Sequence, residues 1–509
     1  MSEYEVVIGL EIHAELKTAS KMFCGCDASF GGEPNSKTCP VCLGLPGVLP
    51  VLNRKAVELA IRLAVALDSR IAPNSIFHRK NYFYPDMPKN FQISQYDLPL
   101  AVGGHLDIDV QGEPFRVGIT RVHMEEDTGK SLHASESGRI RGAEYSLEDF
   151  NRAGVPLVEI VSEPDIRTAE QARIFMQELR SILQHLEVSD GKMEEGSLRC
   201  DGNISLRPKG ESEMGVKTEV KNMNSFRALY GALQYEIERQ GDIISSGGRV
   251  VQETRHWDAD GNATTPMRTK EYAFDYRYFP EPDLVPLEPD LTVKVDADIK
   301  APSANMTFET LSPTITAINV EEIRNGMSEL PAERRWRFSK EYGLPEYDAN
   351  LLTSSKAMGD FFENTVRAGA PAKAVSNWMM GELSAYLNNM NVEIESITTS
   401  PQQLAQMIQL VDNAVISGKI AKSVIEEMLK TGKDAEEIVK EQGITQISDQ
   451  EELERLIAEV IKENPESADD YRGGKEKALG FLVGQVMRKT GGRANPQLVN
   501  EMLKRSLEA

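Results

Sequence analysis

Apolar and polar residues alternate along YEVVIGLEIHAEL, from Tyr4 to Leu16. Val6, Ile8, Leu10, Ile12, Ala14 and Leu16 fall on one face; Val7, Gly9, Glu11, His13 and Glu15 fall on the other. A period of two predicts a half-buried β-strand, with Glu11 and His13 side by side on its polar face. The pattern recurs. In SLRCDGNISL, Leu198, Cys200, Gly202, Ile204 and Leu206 oppose Ser197, Arg199, Asp201, Asn203 and Ser205. In GVKTEVKN, Val216, Thr218 and Val220 oppose Lys217, Glu219 and Lys221, and ITRVHMEEDTGK sets Glu125, Glu126 and Asp127 beside His123.

Two stretches switch to helical spacing. One is NRKAVELAIRLAVALDS, Asn53 to Ser69; the other is TAEQARIFMQELRSILQHL, where Thr168 and Gln171 form a capping-box pattern. Strands dominate around them, with hairpin signals such as DVQGEPF, so residues 1–295 read as an α+β domain on a largely antiparallel sheet. From Pro280 to Pro313 the chain turns proline-rich and acidic, the mark of a linker or an inserted loop. Helical periodicity then runs to the C-terminus. A break at TTSPQQL separates a linker and helical domain, 296–405, from a helical tail domain, 406–509. Within the tail, GGRANPQLVNEML stops one helix and opens another at Pro496, with Asn495 as the cap.

Composition changes this picture little. A chain of 509 residues with 40% hydrophobic and 27% charged residues is an ordinary globular protein of several domains. The net charge of −22 excludes a surface coated for nucleic acid but not a local basic patch. Such a patch lies at the end: from Tyr471 onward there are eight Lys/Arg against three Asp/Glu. MSEYEVV lacks a basic, apolar leader pattern, and no apolar run reaches the roughly 18–20 residues of a membrane span, so an intracellular, soluble protein is expected.

Four of the five cysteines cluster as CGC and CPVC: Cys24, Cys26, Cys39 and Cys42. In a chain without a secretion signal this spacing favours a four-thiolate structural zinc over disulfides, with reduced free thiols as the alternative. His123 and Cys200 read as structural residues. Sheet faces that mix Glu, Asp, His, Arg and Lys suit magnesium-dependent phosphoryl transfer, because hard cations take carboxylate oxygens while basic side chains stabilise phosphate charge. A solvated sheet face is the rival reading. DTGKS is not a phosphate-binding loop, since Met124 stands where its first glycine belongs.

Longer motifs are more specific. VIGLEIHAEL, RKNYFYPDMPKNFQISQYD, HMEEDTGKS, DFNRAGVPLVEIVSEPD, KMEEGSLRCDGNISLRP, TEVKNMNSF, SNWMMGELSAYLN and KALGFLVGQVMRKTGGRANPQLVNEML together resemble GatB, a family of aspartyl/glutamyl-tRNA amidotransferase subunits. Only the stretch from Leu291 to Asn319 looks foreign to that pattern. The resemblance implies a glutamine-synthetase-like cradle domain followed by helical domains, in a heterotrimer with an amidase, GatA, and a small subunit, GatC. It implies ATP-dependent amidation of misacylated Glu-tRNA(Gln) or Asp-tRNA(Asn), in the cytoplasm or in an organellar stroma or matrix. A GatB protein would phosphorylate the side-chain carboxylate of the esterified amino acid, and ammonia would displace the phosphate.

The implied divalent-metal positions are Glu11, His13, Glu125, Glu126, Asp201 and Glu219, with Glu126 also catalytic. RKNYFYPD resembles the loop of the active site and ammonia route, which makes Lys80 and Tyr82 candidates; packing of a loop by its aromatics is the other reading. Arg199 and Lys217 share strand faces with Asp201 and Glu219 and are candidate phosphate contacts, although either could be a structural ion-pair partner. The tail implies tRNA binding, with Arg488, Lys489 and Arg493 as candidates. Two other functions stay open: a non-catalytic tRNA-binding scaffold, and a ligase acting on a small carboxylate.

Overall fold

The structure, a computed structural model, describes residues 3–134, 142–267, 276–291, 318–390, 392–442, 450–490, 494 and 496–508. Its strands begin with β1 (Tyr4–Glu15), β2 (Arg70–Ile71), β3 (Phe77–Asn81), β4 (Phe91–Gln95), β5 (Ala101–Val102), β6 (His105–Val110) and β7 (Glu113–Glu126). They continue with β8 (Lys130–His133), β9 (Ser146–Asp149), β10 (Pro156–Ser162), β11 (Leu198–Pro208), β12 (Thr218–Lys221), β13 (Glu253–Asp258), β14 (Ala263–Pro266) and β15 (Arg277–Pro280). Thirteen of these strands form one mixed sheet whose main path is β14-β13-β12-β11-β1-β10-β7-β4-β3-β15. β1 is central, paired antiparallel to β10 on one side and to β11 on the other. The pair β12–β13 is parallel.

Local chemistry explains the elements. Helix α1 (Arg54–Ala66) starts where Asn53 accepts a hydrogen bond from the Ala56 amide. Helix α2 (Ala169–His185) starts at a complete capping box between Thr168 and Gln171. The β6–β7 hairpin turns on Gln111 and Gly112, both at positive φ (59° and 88°), as a two-residue turn of type I′ requires. Apolar residues of α1, α2 and α3 (Phe226–Ser245) join Ile8, Leu10 and Ile12 of β1 in one buried cluster. These residues of β1 are at most 1% exposed, so the helices cover its apolar face and leave Glu11 and His13 on the other.

Contacts divide the chain into two compact units, residues 1–330 and 331–509. The second unit is helical throughout its described residues and holds two apolar clusters, one from Phe338 to Val439 and one from Leu453 to Leu507. The boundaries expected near residues 295 and 405 follow changes in sequence pattern, whereas these units follow packing. Most of the stretch from Leu291 to Asn319 lies outside the described residues, as do Arg493 and Asn495.

Candidate active site

Register across the sheet builds the polar face. Glu11 sits opposite Asp201 on one neighbour and Val161 on the other; His13 sits opposite Arg199 and Glu159. Glu159 in turn faces His123 on β7, and Glu125 faces Ser94 on β4. Side chains of directly paired residues share a face, so four strands deliver histidines and acids to one patch.

The tightest grouping is His13, Glu125 and Glu159, whose candidate ligand atoms all lie within 4.8 Å of one another. His13 Nε2 is 3.5 Å from Glu125 Oε1 and 3.3 Å from Glu159 Oε2. His123 Nε2 approaches Glu159 Oε2 at 3.3 Å, Arg121 approaches Glu159 Oε1 at 3.6 Å, and Ser94 Oγ donates to Glu125 Oε2 at 3.3 Å. Burial pulls the His13 imidazole toward neutrality, but the Glu159 hydrogen bond and the charges of Glu125 and Glu159 outweigh it and raise its pKa. Burial opposes ionisation of Glu159 as well, yet His123 and His13 hold this carboxyl well below its ordinary value. One nitrogen and two carboxylates that converge in this way fit a divalent cation.

Glu11, Asp201 and Glu219 share the face but are engaged otherwise. Asn203 Nδ2 donates to Glu11 Oε1 at 2.9 Å. The Lys221 ammonium joins Asp201 to Glu219, 3.1 Å from Glu219 Oε1, and Thr254 donates to Glu219 Oε2 at 2.7 Å. Their hard oxygen donors suit magnesium, provided Lys221 swings aside. Glu11 also borders a cleft of about 270 Å³ with Gly9, Ser205, Met214 and Lys217. Lys217 is exposed and immediately precedes β12. Arg199 is held by Asp127, at 2.6 Å, and its Nε is buried without a hydrogen-bond partner.

Glu126 departs from the expected ligand set. As the neighbour of Glu125 on one strand it points to the other side, where it pairs with the Lys89 ammonium and accepts from the Ile93 amide at 2.9 Å. It lines a second cleft, of about 190 Å³, with Lys21, Cys42 and Arg79. The two adjacent glutamates therefore cannot share one ion. Lys80 and Tyr82 come together around Tyr276: the Lys80 ammonium is 5.0 Å from that ring, and the Tyr82 ring meets it edge-on at 5.8 Å. Burial first, then the charges of Asp86 and Glu125, push the Tyr82 hydroxyl above its ordinary range.

Two participants escape a reading of sequence pattern. Glu159 lies in PLVEIVS, where both flanks are apolar, but alternation from Leu157 through Val161 puts it on the face of its strand partner His13. Alternation sets Lys221 on a face with Glu219, yet its contact with Asp201 depends on strand pairing.

The four sulfurs of Cys24, Cys26, Cys39 and Cys42 lie within 4.8 Å of one another, and those of Cys39 and Cys42 are 3.9 Å apart. Sulfurs at the corners of a zinc tetrahedron stand about 3.8 Å apart, so the cluster fits that ion. A hydrogen bond from Cys24, then the Cys39 amide and the Lys21 charge, bring the Cys42 thiol down to about 5 despite burial. In the tail, Arg488 is exposed, and Lys489 reaches Glu463 at 2.7 Å and Glu459 at 3.2 Å.

Acids and histidines that converge on one face of a mixed sheet suit a catalytic domain rather than a helical adaptor. Residues 6–293 match the family model described as the GatB/GatE catalytic domain, and residues 360–507 match the one described as the GatB domain. The chain belongs to the GatB/GatE family. It is 56% identical to the B-type subunit of the aspartyl/glutamyl-tRNA(Asn/Gln) amidotransferase of Moorella thermoacetica, over 99% of this chain and 100% of that protein. It is 53% identical to the same-named protein of Carboxydothermus hydrogenoformans, over 100% of this chain and 99% of that one.

Proposed function

We propose that this chain is the carboxylate-activating component of a tRNA-dependent amidotransferase, acting on Glu-tRNA(Gln), Asp-tRNA(Asn) or both. The observation that carries the reading is the convergence of His13, Glu125 and Glu159 on one sheet face, two residues along β1 from Glu11 at the mouth of a cleft. The relatives' names supply the substrate class.

A carboxylate is a poor acceptor for ammonia because oxide does not leave. Transfer of the γ-phosphoryl group of ATP to it makes an acyl phosphate, and ammonia then expels phosphate to form the amide. The open cleft bounded by Gly9, Glu11, Ser205, Met214 and Lys217 lies beside the acidic face, and Lys217 can face the phosphates of a nucleotide there. Magnesium held by the acidic face would spread negative charge and align the phosphates. His13, Glu125 and Glu159 would hold one divalent cation on one side of Glu11, and Asp201 and Glu219 would contribute to a second on the other. Arg199, whose side chain is 35% exposed on the face it shares with His13, stabilises charge on the phosphoryl group or the accepting carboxylate. Lys80 and Tyr82 border the ammonia side of the site, and Glu126 with Lys89 lines the cleft behind it.

The reading places the chain in the cytoplasm, in a complex with a glutamine-hydrolysing amidase (GatA) and a small subunit (GatC). No helix among the described residues is long and apolar enough to cross a membrane. Arg488, Lys489 and Arg493 serve the tRNA backbone. Incubating the assembled complex with γ-labelled ATP tests the reading: phosphate release should require misacylated tRNA. Release without tRNA would favour a small-molecule ligase, and none under any condition would favour a scaffold.

A further inference from the structure

Lys21 is fully buried, at 0% exposure. Its ammonium donates to Lys37 O at 2.7 Å and Phe150 O at 3.2 Å, and its third neighbour is Cys42 Sγ at 3.9 Å. Among the described residues it forms no ion pair with a carboxylate. A buried ammonium without a counter-charge is strongly unfavourable, and two carbonyl oxygens solvate it without neutralising it. The anion available is sulfur. A tetrathiolate zinc centre carries two net negative charges, and Cys42, the one buried thiolate of the four, is the one that meets the lysine.

We infer that Lys21 is the counter-ion of the four-cysteine metal site, where its buried ammonium neutralises part of the thiolate charge through Cys42 and positions that ligand. The two carbonyls it holds come from different loops, one within the cysteine segment at Lys37 and one before β10 at Phe150. The lysine therefore fastens the metal knob to the sheet as well as balancing its charge. Position 154 shows how closely the two sites adjoin. A Cβ on Gly154 would lie 3.5 Å from Lys21 Cδ, 3.6 Å from Cys42 Cβ and 3.8 Å from Glu126 Oε2. Lys21 thus adjoins both Cys42 and Glu126 in the cleft that all three line. With the metal in place its charge is committed to sulfur, and Glu126 remains the partner of Lys89.

The test is metal retention, read without any activity measurement. Zinc-loaded full-length protein, in its native assembly, is challenged with excess chelator, and release is followed for the parent, Lys21→Met and Lys21→Gln. Replacing the counter-ion should speed release at least about tenfold in both variants, the size of effect typical of groups that support metal ligands. Cobalt-substituted Lys21→Gln should also show a shifted sulfur-to-metal absorption band, which loss of packing alone would not produce. Parent-like release and spectrum in Lys21→Gln would overturn the charge-balancing role, and so would parent-like release in Lys21→Met. Should Lys21→Met not fold, the glutamine variant, which keeps a hydrogen-bond donor but no charge, decides alone.

Discussion

Two glutamates in this chain, Glu159 half-buried and Glu363 buried, are bound by cations, and they differ in which cations. Glu159 on the sheet face is met by His13, His123 and Arg121, in a patch that adjoins a cleft. Glu363 in the helical unit is met by Arg334 at 2.6 Å, Arg337 at 2.7 Å and the Tyr342 hydroxyl at 3.1 Å. Both carboxyls are held below their ordinary value. An arginine stays charged and cannot accept a ligand, so the Glu363 cluster is a permanent strut. Imidazole can lose its proton and offer a lone pair, so the Glu159 cluster can exchange a proton for a metal ion. A buried ion pair is thus weak evidence of a site until its partners are named.

The largest expected effect is on chemistry. Glu159→Gln or Glu125→Gln should lower ATP-dependent amidation at least about 100-fold, a loss typical of removing charge stabilisation at a reacting centre. Their melting temperatures should stay near the parent's, measured on the same preparations. Glu363→Gln should do the reverse. Arg334 is buried and Arg337 half-buried, and each keeps a more exposed carboxylate, Asp360 and Glu341, so loss of the Glu363 charge costs about 1–3 kcal/mol of stability, while amidation per folded molecule is retained. A Glu363→Gln protein that melts like the parent would erase the contrast.

Acid sharpens the same comparison. Burial works against the Glu363 charge, but Arg337 and Arg334 bring its carboxyl down to about 2 from 4.5. Between those values the unfolded chain binds the proton and the folded chain does not. The cluster's contribution is therefore complete above about pH 4.5 and is lost as pH falls toward 2. Chemical denaturation across that range should show a shallower loss for Glu363→Gln. Gly359→Ala should act on the same strut, because a Cβ there would fall 2.7 Å from Arg334 Cζ. A cost of about 1–2 kcal/mol is expected from equilibrium unfolding. Smallest of all, Lys489→Ala breaks exposed ion pairs that contribute little to stability. Its effect should appear instead as slightly weaker tRNA binding with a flatter salt dependence.

Much of this was legible in the chain. Alternation from Tyr4 to Leu16 placed Glu11 and His13 together, and the same rule applied to Glu125 and Glu126 separates them, since neighbours on a strand face opposite ways. Adjacent acids invite being read as one ligand pair; the strand does not permit it. Cysteine spacing led directly to the thiolate cluster. What sequence pattern does not carry is long-range register. That β1 lies between β10 and β11, so that His13 meets Glu159 and Arg199, depends on pairings across more than a hundred residues. The charge that a buried lysine balances is hidden for the same reason, because Lys21 and Phe150 are neighbours only in space.

One measurement bears most directly on the sheet face as a phosphoryl-transfer site. Phosphate release from γ-labelled ATP is followed in the assembled complex with misacylated tRNA, comparing the parent, Glu159→Gln and Glu363→Gln, with the partner's glutamine hydrolysis as the control. The expected result is tRNA-dependent release in the parent and in Glu363→Gln, loss in Glu159→Gln, and glutamine hydrolysis measurable in all three. Undiminished release from a folded Glu159→Gln complex would contradict it.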